Sequence, residues 1–364
     1  MRLASRLAAA LVLAAGAALA AEPAPDKALH ALFEREFRHG LEEFPERATF
    51  LGIEGHDHRF MDRSPAAVAR RKARVPKVIA ELERFDPARL STQDRISREV
   101  MLAGLRLDAE ENALYGDLPF DAATGWMPVS SMFGPQLLMA ALAKSTRFRY
   151  SRDYENYVKR LEAVPVTLEQ RVAIMRAGMR SGWMPPAEAM TRVPAMFGAF
   201  AGGDITATPM WHPFTRFPAG MDEAERKRWT EAGRRALAES AHPAFARFKR
   251  FLEAEYLPAA RKELSASRLP AGPAYYALRV RRQTTTAMTA AEIHELGLRE
   301  VQRIRAEMDR AIIAAGFKGS FAEFLNFINT DPQFFFTKPE DRLRAYRDIA
   351  KRADAELPRL FAEL

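Results

Sequence analysis

The sequence predicts a mainly α-helical protein, a multi-helix array of antiparallel helices with one short strand or hairpin near residues 275–283. Three observations carry this reading. Apolar residues recur at spacings of three and four, the period that turns one helix face towards a core. Ser or Thr stands three residues ahead of an acid or Gln at Ser91…Asp94, Thr167…Gln170, Thr289…Glu292, Ser320…Glu323 and Thr337…Glu340, the pattern that caps a helix start. The connections between periodic segments are short, as between antiparallel neighbours.

In chain order, Leu29, Leu32, Phe33, Phe37, Leu41 and Phe44 form one stripe, which Pro45 closes. Ser64-Pro65 opens a helix to about Phe85, and Ser91 opens another towards Leu114. Residues 115–150 carry Gly116, Pro119, Gly125, Pro128, Gly134 and Pro135, which predict a loop followed by a short helix near Pro135–Lys144. Helices resume at 152–163 and 167–181, separated by Pro165 and stopped at Gly182, and another begins at Pro185-Pro186. Beyond a connection from Gly202 to Pro218, a long helix runs from Met221 to about Leu264, kinked where Pro243 lacks an amide donor.

Residues 275–283 alternate Leu278 and Val280 with arginines after the turn Leu-Pro-Ala-Gly-Pro at 269–273, hence the strand. Thr289 then caps a helix with the stripe Ile293, Leu296, Val301, Ile304, Met308 and Ile312, ended at Gly316.

The first twenty residues read as a signal peptide. Arg2 and Arg6 precede an uncharged run from Leu7 to Ala20 that ends in small residues. Cleavage after Ala20 or Ala21 leaves residues 21–364 as a periplasmic or secreted chain without a membrane anchor. The run is short for a spanning helix, and no cysteine is available for acylation.

Cleavage removes Arg2 and Arg6, lowering the formal charge from +8 to +6. The basic residues are interleaved with acids, as in solvated helix faces, so nucleic-acid binding is not expected. With 48% hydrophobic residues and no cysteine, a disordered chain, a disulfide scaffold and a thiolate metal site are all excluded.

No complete active site emerges from the residues, and no catalytic residue or metal ligand is assigned. His294-Glu295 begins like the zinc motif H-E-x-x-H, but its fifth position is Leu298. His56 and His58 would share one face of an extended segment and lack a visible third ligand, so a polar turn is expected there. His30, His39, His212 and His242 are isolated. The 275–283 segment, with Tyr275, Tyr276, Arg279 and Arg281, suggests a positive, aromatic edge able to hold a peptide or its carboxylate by strand addition, against the simpler reading of a structural strand.

The segment from Leu269 through Tyr275-Tyr-Ala-Leu-Arg-Val-Arg-Arg-Gln283 and Ile293-His-Glu-Leu-Gly-Leu-Arg-Glu-Val301 to Gly316-Phe317 resembles the bacterial domain of unknown function 885 family. The resemblance extends to Asp331-Pro-Gln-Phe334 and Leu357-Pro-Arg-Leu-Phe361, and upstream to Ala48-Thr-Phe-Leu-Gly52, Tyr157…Arg160-Leu161, Arg176-Ala-Gly-Met-Arg180 and Tyr256-Leu-Pro258.

That resemblance implies an exported, mostly helical, zinc metallopeptidase-like protein. In such a family the zinc ligands lie in a later His-Glu-x-x-Pro-Gly-His-His context with a downstream Glu, none of which occurs here. Zinc is therefore implied for the full-length family member and not for this chain.

The expected role is an N-terminal helical lobe that lines a peptide-binding cleft and is inactive without the H-E-x-x-H part, with Tyr275, Tyr276 and Arg279 as a wall of that cleft. The alternative is a noncatalytic periplasmic helical binding or scaffold protein. If further sequence packs on this lobe, the helices after Thr289 should expose apolar residues such as Phe321, Phe324, Leu325, Phe327 and Phe334–Phe336.

Overall fold

The computed structural model describes residues 23–361, so the leader-like segment 1–20 lies outside the described residues. The fold is all-helical. Pairing of β type is confined, among the described residues, to one bridge between Pro186 and Arg261. The chain divides into two units at Thr286/Ala287.

The first unit holds helices α1 (Lys27–Glu43), α2 (Pro45–Leu51), α3 (Pro65–Glu83), α4 (Thr92–Tyr115), α5 (Pro135–Ser145), α6 (Ser151–Glu162), α7 (Val164–Ser181), α8 (Glu223–Ala236), α9 (His242–Phe251) and α10 (Gly272–Thr284), with shorter helical turns between them. Pro45 ends α1 and also starts α2, because a proline tolerates a first helical turn.

Ser91 caps α4 by accepting from the Asp94 amide at 3.1 Å. The Asp94 carboxylate reaches elsewhere, to the Asp26 amide at 2.8 Å and the His30 ring at 2.7 Å, tying the starts of α1 and α4 together. Thr167…Gln170 is not a helix start. It lies inside α7, which begins three residues earlier because Pro165 fits the first turn.

The long helix expected over 221–264 is broken as its prolines require. A π-helical turn, Leu237–Ala241, precedes Pro243, and a second, Leu252–Tyr256, precedes Pro258. Each wide turn closes with an i→i−5 bond, His242 to Leu237 and Leu257 to Leu252. The wider turn accommodates the proline ring that would otherwise clash with a carbonyl one turn back.

The strand expected at 275–283 does not form; those residues lie inside α10. In a helix Arg279 and Arg282 share a face, and both reach Glu111 on α4, at 3.6 and 3.1 Å. Arg282 also bonds Asp108 at 2.8 Å and Arg281 pairs with Glu110, while Leu278 is fully buried. These long-range ion pairs and the burial of Leu278 outweigh the weak alternation.

The largest core joins Tyr154, Tyr157 and Leu161 of α6 to Leu168 and Met175 of α7, Trp229 of α8 and Phe245 and Phe248 of α9. A second cluster packs Leu29 and Leu32 of α1 on Val78, Leu82 and Leu102 of α3 and α4.

The second unit holds α11 (Ala290–Ala314), α12 (Phe321–Thr330) and α13 (Pro339–Leu360). Thr289/Glu292 and Ser320/Glu323 form complete reciprocal caps. Thr337…Glu340 does not, since the cap position of α13 is Lys338 and carries no side-chain bond. Phe317 packs on Phe324 and Phe327 at 5.3 Å each, and Phe327 meets Phe334 at 5.2 Å. Ile312 is the one buried hydrophobic among the described residues of this unit. Leu325 and Phe334–Phe336 are exposed, and Phe321, Phe324 and Phe327 are half-buried.

Candidate functional site

The proposed peptide wall is mostly a helix–helix contact. Tyr275 is half-buried, its ring edge-on to Trp183 at 5.4 Å and beside Trp126 and Tyr115 at 6.4 Å. Arg279 faces Glu111, whose other oxygen accepts from the Tyr115 hydroxyl at 2.6 Å. Burial, then Tyr275 and Glu111, push that hydroxyl far above the usual tyrosine range, so it stays a neutral donor. Tyr276 is exposed. Strand addition is ruled out by conformation, because the backbone here is bonded within α10.

The histidines do not converge. His294 is exposed on α11, with Leu298 one turn on. His56 and His58 lie in a run of turns rather than an extended segment. Arg160, fully buried, fixes that run by donating to the carbonyls of Arg59 (3.2 Å) and His56 (3.0 Å) and to the Thr49 hydroxyl (3.0 Å).

Burial, then the charges of Arg59 and Arg160, hold His58 below the usual imidazole value. The same charges oppose a bound cation. Among the described residues, no three His, Asp or Glu side chains stand where they could hold a metal ion. The zinc site implied for the full-length family therefore does not fit these residues.

A groove of about 690 Å3 lies between α7 and the α9 region of the first unit. Alanines make the room: Ala173 on α7, Ala244 on α9 and Ala254 in the second π turn line it where larger side chains would fill it. Its floor is Leu168, Phe248 and Phe251, all buried.

Four arginines and the acids Glu169 and Glu255 form the rim. Arg176 makes a forked pair with Glu255 at 2.8 Å and lies over the Phe251 ring at 5.2 Å. Arg180, Arg247 and Arg250 have no ion-pair partner among the described residues. Spacing on α7 sets this up, because 172, 176 and 180 form one i,i+4 row. An apolar floor beneath unpaired guanidinium groups suits a ligand that presents apolar side chains and carboxylates together.

Sequence reasoning missed the groove because an arginine on an amphipathic helix reads as a solvated face. The available signal was the small residues Ala173 on α7 and Ala244 on α9, which have meaning only once the two helices are known to line one groove.

No helix among the described residues is long and apolar enough to cross a membrane. The fold is similar to the crystal structure of a protein designated a lipoprotein from Colwellia psychrerythraea, with a TM-score of 0.78 at 17% identity. The match covers 91% of this chain and 59% of that one, so this chain spans about three fifths of the other's length. No curated protein matches the sequence. The family model for "Bacterial protein of unknown function (DUF885)" matches residues 45–364, and the chain belongs to that family.

Proposed function

We propose that this chain is the peptide-receiving helical lobe of an exported, metallopeptidase-like protein, and that it binds its ligand without cleaving it. The observation that carries this reading is the groove, with its apolar floor and its unpaired Arg180, Arg247 and Arg250. The leader-like residues 1–20 support export to the periplasm or beyond. Zinc-dependent hydrolysis, in this reading, belongs to residues other than those described. Tyr276 and Arg279 retain a place only as an outer wall.

Calorimetric titration of the chain with a peptide alternating Leu and Glu tests the proposal. The expected result is saturable binding that weakens with salt and falls at least about tenfold in an R247E/R250E variant. Equal binding of a Leu/Lys peptide would overturn it, as would turnover of a quenched peptide by the purified chain with added zinc.

A second reading, a noncatalytic scaffold, is favoured by one feature. Leu343, Tyr346 and Ile349 form an exposed apolar row on α13. It predicts that charged replacements on this row leave peptide binding intact.

A further inference from the structure

A second cavity, on the opposite side of α7 from the groove, has an unusual charge balance. It measures about 390 Å3 and is walled by Phe50, Met127, Met132, Phe133, Leu137 and Leu138, with Arg63 and Arg171 also in its lining. Arg171 is 3% exposed. Its Nη1 donates to the Thr167 hydroxyl at 2.7 Å and the Thr167 carbonyl at 3.2 Å, while its Nε is buried without a hydrogen-bond partner.

The acid nearest this pair is already engaged. Both Glu46 oxygens accept from the Met61 amide, at 3.1 and 3.2 Å, and Glu46 stays 3.9 Å from Arg63. Arg171 has no carboxylate within salt-bridge distance among the described residues. Burial and then the neighbouring Arg63 hold the Arg171 pKa well below the usual guanidinium value, and Glu46 offsets this only in part. A buried positive charge is unfavourable unless an anion meets it, and of these two arginines Arg63 has a distant partner in Glu46 while Arg171 has none among the described residues.

The mouth is also incomplete. Gly134, at φ 141°, allows the tight turn in which Ser130 holds the amides of Met132 and Phe133 at 3.0 and 3.1 Å. That turn leaves Met132 86% exposed and Phe133 46% exposed at the rim. Two large exposed apolar side chains in one lining with two arginines suit an amphiphile.

We infer that this cavity binds a monocarboxylate with an apolar tail, its carboxylate bridging Arg171 and Arg63 and its tail lying against Met132, Phe133 and Leu137. An acyl chain and the C-terminal residue of an apolar peptide share this chemistry. The site is separate from the groove, and its ligand is read without any groove peptide, so its failure leaves the groove proposal standing.

The test is calorimetry of the full chain with octanoate, octan-1-ol, N-acetyl-Ala-Leu and the C-terminal amide of that dipeptide. The two carboxylates are expected to bind saturably, and the alcohol and the amide at least tenfold more weakly. The tighter carboxylate identifies the source. R171M, which keeps the side-chain bulk, is expected to lose at least tenfold for octanoate with its thermal transition retained. If R171M does not fold, L137W, a change at a part-exposed rim position, is expected to weaken both carboxylates. Alcohol binding as tight as octanoate, or no saturable carboxylate binding to the folded wild type, overturns the inference.

Discussion

The two units are built from equally well-marked helices and differ in what those helices bury. In the first, α6, α7, α8 and α9 surround a continuous core that includes Tyr157, Phe245 and Phe248. In the second, α11 and α12 both start with a reciprocal side-chain cap, yet Ile312 alone is buried there among the hydrophobic side chains described. Leu296, Val301, Ile304 and Met308 form the expected stripe on α11 and remain exposed. Capping and i,i+4 pairs such as Arg303–Glu307 set where a helix begins and how it holds locally, whereas packing decides how much stability the helix contributes.

This contrast can be tested by substitution, the largest effect first. F245A, at a fully buried core position, is expected to cost about 3–5 kcal/mol by urea denaturation. The matched change L343A in the second unit should cost less than about 0.5 kcal/mol, and a loss comparable with F245A would erase the distinction. E111A removes the carboxylate shared by Arg279, Arg282 and Tyr115, and about 2–4 kcal/mol is expected, read in the same denaturation series.

S320A removes one side-chain cap from α12 and should cost about 1 kcal/mol, visible as faster amide exchange in that helix with little change in the first unit. The smallest effect is acidic. Bonds from the Asp26 amide and then from His30 hold Asp94 below the usual carboxylate range. Its contribution is therefore complete above that range and is lost as pH falls from about 4 through the depressed value. D94N should flatten the acid limb of the urea midpoint plotted against pH; an unchanged limb would show that Asp94 is not coupled to folding.

The local signals were legible in the sequence where both partners lie within a turn. Ser91, Thr289 and Ser320 cap as their spacing predicts, and Gly182 and Gly316 end their helices in the left-handed conformation. What was not legible depends on partners distant in the chain. The arginines of α10 resemble an alternating strand face as long as Glu110 and Glu111, about 170 residues away, are out of view.

Thr167 resembles a cap only if Pro165 is a terminator, and Pro165 is instead a first-turn residue. Arg171 did leave a trace. Leu168, Arg171, Met175 and Gly178 succeed one another at spacings of three, four and three, so a charged residue stands in an apolar stripe, the usual mark of a buried guanidinium.

The two π turns have a consequence for length variation. A helix that already holds one residue more than its regular winding can release that residue without rotating the downstream turns. Deleting one position within Leu237–Ala241 converts the bulge to ordinary winding and leaves Phe245 and Phe248 aimed at the core, while returning the Pro243 ring to the clash that the wide turn relieves. The same deletion one turn later, in α9, swings every side chain beyond it by about 100° and pulls them out of register. Single-codon losses should accordingly cost less at these two sites, where only the proline contact is lost, than beside them, where the register is lost as well.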